Sequence, residues 1–142
     1  MILYQEYKSK NLKIGEKYHL FLDDERFPDQ VNWVDLPLHD WIIVRNYDEF
    51  VECTTEYGLA QTYSFDHDLG MTAYIEFNRC ITENENFDYS RLKEKTGMDC
   101  VHWLVNYCIS NNLIFPEYFV HSMNFIGKEN IISLIESFKK FK

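Results

Sequence analysis

Four short apolar or aromatic-rich runs constrain the fold of this chain more than any other feature. They are Tyr18-His19-Leu20-Phe21-Leu22, Trp41-Ile42-Ile43-Val44, Thr62-Tyr63-Ser64-Phe65 and Tyr118-Phe119-Val120. Runs of this length are strands, and their lack of a regularly polar face points to strands covered on both sides, as in a parallel sheet. Most of them stop at a polar cluster: Asp23-Asp24, Asp66-His67-Asp68 and His121-Ser122.

Helical patterns fill much of the space between the runs. Asn46 stands three residues before Glu49, a capping pair, and Tyr47, Phe50, Val51, Thr54 and Tyr57 follow as a stripe closed by Gly58. Thr96 to Asn112 reads as an apolar helix with Val101, Leu104, Val105 and Cys108 on one face. Ile131, Leu134, Ile135 and Phe138 mark a last helix opened by Gly127-Lys128, with Lys139, Lys140 and Lys142 suiting its C-terminal dipole. Residues 25–40, with Pro28 and Pro37, read as a long loop holding one helical turn. Residues 71–95 read as an excursion over one edge or a lid, with a short helix over Ala73–Cys80. Residues 1–17 read as an edge strand or hairpin with a turn at Gly15.

Strands alternating with helices imply right-handed crossovers and an α/β fold. The expected architecture is flavodoxin-like: one domain over 1–142, a mostly parallel sheet of about four strands in the order 2-1-3-4, and helices on both faces. At 142 residues the chain suffices for one core without disulfides. Cys53, Cys80, Cys100 and Cys108 form no CxxC pair, and we expect reduced thiols packed in a core. Met1 to Lys10 lacks the pattern of a signal peptide and no apolar run reaches membrane-spanning length, so a cytoplasmic protein without a membrane partner is expected. Fourteen Lys/Arg against 23 Asp/Glu give a net charge of −9, which disfavours binding to a long nucleic-acid duplex. A small phosphate, held by a metal ion or a few aimed donors, remains compatible with that charge.

In an open parallel α/β sheet, ligands bind beyond the carboxyl ends of the strands. The polar clusters would therefore crowd one rim. Crowded carboxylates repel, and a bound cation is one common resolution. Asp23, Asp24 and Asp66 are the candidate ligands, with Asp68 a fourth, and oxygen donors beside a phosphate favour Mg2+ or Mn2+. Asp23 or Asp24 taken singly can instead cap a loop or helix. Arg26 has the fork to hold a phosphate oxygen, or else pairs with a nearby carboxylate. His67 and His121 are candidate general acid and base beside Asp66, because imidazole titrates near neutrality. Ser122 and Asn124 are donors for an anionic oxygen, and the helix start at Gly127-Lys128 offers free N–H groups. His19, His39 and His102 lack such surroundings and receive no role.

The same residues carry a resemblance. Asp23-Asp24-Glu25-Arg26-Phe27-Pro28 matches a DDxRxP element, and Ser64 to Gly70 reads SFDHDLG. Thr96-Gly97-Met98-Asp99 looks like a TGxD helix opening, and His121 to Ile131 matches HSxNxxGxxNI. Together, over about residues 18–138, they resemble the cyclic-phosphate-processing receiver-like domain family, a divergent relative of the response-regulator receiver. The resemblance implies a receiver fold turned to cyclic phosphates of nucleotides, ADP-ribose derivatives or RNA ends. It places Asp23, Asp24 and Asp66 where a receiver keeps its metal-binding pair and phospho-accepting aspartate, and Ser122 where a receiver keeps a Ser or Thr. His67 and His121 have no counterpart in ordinary receivers. The chain departs from a signalling receiver in lacking a fifth strand after the last helix, with its lysine. It departs from the family pattern in Phe125, where proline is expected after Asn124.

Two functions follow as expectations. One is a metal-dependent phosphodiesterase that opens a cyclic phosphate with two histidines as acid and base. The other is a non-catalytic module that captures a cyclic nucleotide or a phosphorylated partner. A haloacid-dehalogenase-type phosphatase fits less well, because position 25 is Glu where that family needs a second aspartate. The sequence leaves the oligomeric state open.

Overall fold

A computed structural model describes residues 2–9, 11–14 and 17–141 of the chain; the expected turn at Gly15 lies outside them. Five strands form one open sheet: β1 (Leu3–Glu6), β2 (His19–Leu22), β3 (Asp40–Val44), β4 (Thr62–Phe65) and β5 (Glu117–Val120). Their order is β1-β3-β2-β4-β5 and every pairing is parallel. The four core strands thus stand in the flavodoxin-like order expected. The correction is a fifth strand: the N-terminal segment joins the sheet as an edge strand beside β3 rather than folding into a hairpin.

The helices are α1 (Tyr47–Tyr57), α2 (Met71–Glu83), α3 (Gly97–Ser110) and α4 (Phe125–Lys139). Their starts follow local chemistry. Asn46 accepts the Glu49 N–H at 2.9 Å, and Thr96 and Asp99 form a reciprocal capping box. The last helix opens at Phe125, two residues before the expected Gly127, because Asn124 caps it by accepting the Gly127 N–H at 2.9 Å. Residues 71–95 hold α2, longer at both ends than the expected Ala73–Cys80, and a short 3-10 turn, Tyr89–Arg91.

Strand alternation sorts the core into two layers. Leu20, Leu22, Ile42, Val44, Tyr63, Phe65 and Val120 face one side and pack against Phe50 and Cys53 of α1, Val101, Leu104 and Cys108 of α3, and Ile131 and Ile135 of α4. Phe21, Trp41 and Ile43 face the other side, where Val31 and Leu36 cover them. That cover is the 24–39 loop with its 3-10 turn Pro28–Gln30, not a helix. The expectation of helices on both faces is corrected accordingly: three of the four helices pack on a single face. The prolines that interrupt residues 25–40 leave room for one turn only. Each fully buried large side chain contributes roughly 1.5–3 kcal/mol, so this small second layer still holds the loop firmly. All four cysteines are buried thiols, not disulfides. Among the described residues, no helix is long and apolar enough to cross a membrane.

Candidate functional site

The registers place Leu22 of β2 beside Phe65 of β4, and Phe65 beside Val120 of β5. The next residue in each strand is therefore Asp23, Asp66 or His121, all at one level of the sheet. The hydrogen-bond ladder runs one residue further and pins all three backbones. Asp23 donates its N–H to Val44 at 3.2 Å, Asp66 to Leu22 at 2.9 Å and His121 to Phe65 at 2.9 Å. Alternation then points the three side chains to the face of Phe21 and Ser64. All three are buried, and one ligand atom from each lies within 4.8 Å of the others.

The Asp23 carboxylate is held on every side. Its Oδ1 accepts the Glu25 and Arg26 N–H groups at 3.0 and 2.8 Å. Its Oδ2 lies 3.0 Å from His121 Nε2 and 3.5 Å from Arg26 Nη1. Burial pushes Asp23 up, but these hydrogen bonds outweigh it and hold the carboxyl below its ordinary range. Burial pulls His121 down against the opposing pull of Asp23, so the ring is neutral near pH 7. The ring lies flat on Phe21, 4.5 Å between centroids, and its Nδ1 meets Ser64 Oγ at 2.6 Å. With Ser64 donating to Nδ1, Nε2 carries the proton and donates it to Asp23. Trp33 donates to the His121 carbonyl at 2.7 Å. Arg45 donates to the carbonyls of Asp23 and Arg26 at 3.1 and 2.6 Å, which clamps that loop.

Asp66 is the opposite case. Burial raises it well above its ordinary value, and the charges of Asp23 and Asp24 raise it further. Its Oδ1 accepts the His67 N–H at 2.8 Å. Asp24 is exposed at the rim and is pushed up to about 6 by partial burial and by Asp23 and Glu25.

His67 follows Asp66 and so turns to the other face, toward α3 and α4. It is fully buried. Its Nδ1 lies 2.6 Å from Asp68 Oδ1 and its Nε2 lies 2.8 Å from Tyr89 Oη. Asn130 donates to the same Tyr89 oxygen at 3.1 Å, so the phenol proton points to His67 and Nδ1–H to Asp68. Asn124 donates to Asp68 at 2.9 Å. Gly127 is required here: a Cβ at that position would lie 2.2 Å from the His67 ring. The two histidines thus occupy opposite faces of the rim, each with both ring nitrogens engaged by protein groups.

Above this floor opens a cleft of about 580 Å3. Asp24, Arg26, Asp66, Asp68, Ser122 and Asn124 line it on the polar side, and Met71, Tyr74, Phe77 and Met123 on the apolar side. Asp23, His67 and His121 lie beneath its surface rather than in it. Gly127 supports the floor, and Lys128, half-buried in α4, does not line the cleft. Ser64, Tyr89 and Arg45 are site residues that the sequence does not announce, and the 71–95 excursion contributes to the cleft through specific α2 residues that the sequence does not single out. Alternation alone would place Ser64, since it shares the face of Asp66 two residues on. Tyr89 and Arg45 carried no local signal.

The donor set fits a hard divalent cation. The carboxylates of Asp23 and Asp66 converge, with His121 holding Asp23 through its Nε2–H, and the charged form of Asp66 is penalised by its neighbours in a way that a cation would relieve. No curated protein and no solved structure matches the chain. A family model, the cyclic-phosphate processing receiver domain, matches residues 18–137. That match spans every strand from β2 to β5 and every residue of the cluster just described, and the chain belongs to the cyclic-phosphate processing receiver domain family.

Proposed function

We propose that the chain is a phosphodiesterase that opens a cyclic phosphate of a nucleotide, an ADP-ribose derivative or an RNA end, assisted by Mg2+ or Mn2+. The observation that carries this reading is the convergence of Asp23, Asp66 and His121 within 4.8 Å, beneath a cleft that Arg26, Ser122 and Asn124 line. Asp23 and Asp66 would hold the ion, with Asp24 beside them. Bound there, it would neutralise phosphoryl oxygens and lower the pKa of a bound water.

The chain's own groups supply the rest. Arg26 faces the cleft with its guanidinium 5.1 Å from the Trp33 ring centre, placed to take a phosphoryl oxygen. Ser122 and Asn124 offer donors to the same group. In the reaction, water adds its oxygen to phosphorus, one ring P–O bond breaks, and the freed ester oxygen takes a proton to become a hydroxyl. The product is a phosphomonoester. The group suited to move that proton is Asp24, which reaches the cleft and whose carboxyl is raised in the metal-free chain by partial burial and by the charges of Asp23 and Glu25. His121 and His67, expected from sequence as acid and base, are better suited to positioning: His121 fixes Asp23, and His67 fixes Asp68.

The second reading is capture of a cyclic phosphate without turnover. Burial of both imidazoles, with every ring nitrogen already engaged, favours it. A panel of cyclic phosphates incubated with Mg2+ or Mn2+ and followed by phosphorus NMR separates the two. The hydrolase reading expects conversion to a phosphomonoester, abolished by EDTA and reduced at least about 100-fold in Asp66→Asn. Equal turnover in Asp66→Asn removes the acidic floor from the mechanism. A ligand that binds and is recovered unchanged establishes the capture module.

A further inference from the structure

We infer that the apolar wall of the cleft, Met71, Tyr74 and Phe77 of α2 braced by Phe125 of α4, seats a nucleobase, so that the phosphate taken at the acidic floor belongs to a nucleoside. The inference rests on the phosphate reading of that floor, which fixes where the rest of the ligand must lie.

Helix α2 has two apolar faces and the fold uses one. Ala73 and Cys80 are buried on the inner face. Met71, Tyr74 and Phe77 recur at three-residue spacing on the cleft face, where Met71 is 69% and Tyr74 58% exposed. Large apolar side chains left open together beside a polar site mark a ligand surface. The cleft is also larger than its polar floor requires: a phosphate group spans a few water volumes of about 30 Å3 each, against about 580 Å3 available. The remaining space is bounded by aromatic and thioether groups, which suit a flat π-system.

Phe125 gives this a second basis. It occupies the first position of α4 and is 59% exposed. Core packing does not account for such a ring. Its centroid lies 5.4 Å from that of Phe77 at an interplanar angle of 79°, an edge-to-face contact. Phe125 therefore braces Phe77 against the cleft.

The test measures binding by calorimetry in Mg2+. The probes are adenosine 2′,3′- and 3′,5′-cyclic monophosphates and the baseless 1-O-methylribose 2,3-cyclic phosphate. The proteins are wild type, Tyr74→Ala, Phe125→Pro and Ile81→Ala. Proline suits the first helical position and the extended Asn124 before it, so Phe125→Pro removes the ring while keeping the helix start. Ile81 is an exposed α2 residue that does not line the cleft. Wild type should prefer an adenosine probe by about tenfold or more over the baseless one. That ratio should fall toward one in Tyr74→Ala, drop in Phe125→Pro and persist in Ile81→Ala. A wild-type ratio of one, or a ratio untouched by the first two variants, overturns the base seat even if cyclic phosphates are hydrolysed. Base-dependent binding without turnover keeps the seat and removes only hydrolysis. Failure of every probe to bind overturns both.

Discussion

His121 hydrogen-bonds through both ring nitrogens and lies against Phe21, so its chemistry is spent inside the fold. Alternation explains why it meets Asp23 and Asp66 while His67 does not: one residue of offset along a strand reverses the face. The sequence reading paired the two imidazoles because both end strands, and a count by twos from Ser64 and Phe119 would have separated them. His121→Phe keeps the stacked ring and leaves Ser64 and one Asp23 oxygen short of a partner. We expect a loss of about 1–3 kcal/mol in denaturant unfolding. Divalent-cation affinity should fall about 10- to 100-fold, as for other residues that orient a ligand carboxylate. The pH dependence of kcat discriminates roles: its acidic limb should survive His121→Phe and vanish in Asp24→Asn. Loss of that limb in His121→Phe alone would return the proton transfer to the histidine.

At the scale of elements, the strands and caps were legible because they are written locally: runs of Leu, Ile and Val for β2 and β3, Asn46 and Thr96 for the starts of α1 and α3. What was not legible depended on partners far along the chain. β1 is a mostly exposed strand that exists because β3 offers it an edge. The 24–39 cover is an irregular loop whose Val31 and Leu36 find Phe21, Trp41 and Ile43 only after the sheet has formed. The cleft face of α2 reads, in isolation, as an ordinary exposed helix side. Thr96-Gly97 was recognised as a helix opening, and the fold adds its reason. Gly97 donates its N–H to the His67 carbonyl at 2.8 Å, and a Cβ there would sit 1.8 Å from the Asp66 carbonyl oxygen. The N-terminus of α3 thus rests directly on the peptide that carries the site aspartate. Because the obstacle is backbone, Gly97→Ala must displace one element or the other. We expect about 3 kcal/mol or more of destabilisation, read as a Tm lower by about 10 °C, together with weakened metal binding. An unchanged melting curve would show that α3 and the site loop are not so closely docked.

At the scale of the whole molecule, the cleft proposed to bind the ligand is itself acidic. Asp24, Glu25, Asp66 and Asp68 share the cleft with a single arginine, Arg26, in a chain of net charge −9. Such a rim would repel a phosphate in the absence of a cation, and its repulsion is felt most by the buried Asp66. Folding raises the pKa of that carboxyl, so the native state holds its proton more tightly than the unfolded chain does. Its contribution is fully present below the unfolded value near 3.9 and is lost as pH climbs through the raised native value. Asp23 and His121 act in the opposite sense, since the lowered Asp23 carboxyl and the buried neutral ring both favour the fold at higher pH. The difference between wild type and Asp66→Asn isolates the one group, because an amide oxygen can still accept the His67 N–H. In EDTA, Asp66→Asn should gain Tm over wild type progressively as pH rises above the ordinary carboxylate range, because only the wild type must give up the tightly held proton. Mn2+ should then raise the Tm of wild type, more at pH 8 than at pH 5 as protons cease to compete, and leave Asp66→Asn nearly unmoved. Parallel curves for the two proteins, with no response to Mn2+, would mean that the acidic rim stores no repulsion for a cation to relieve.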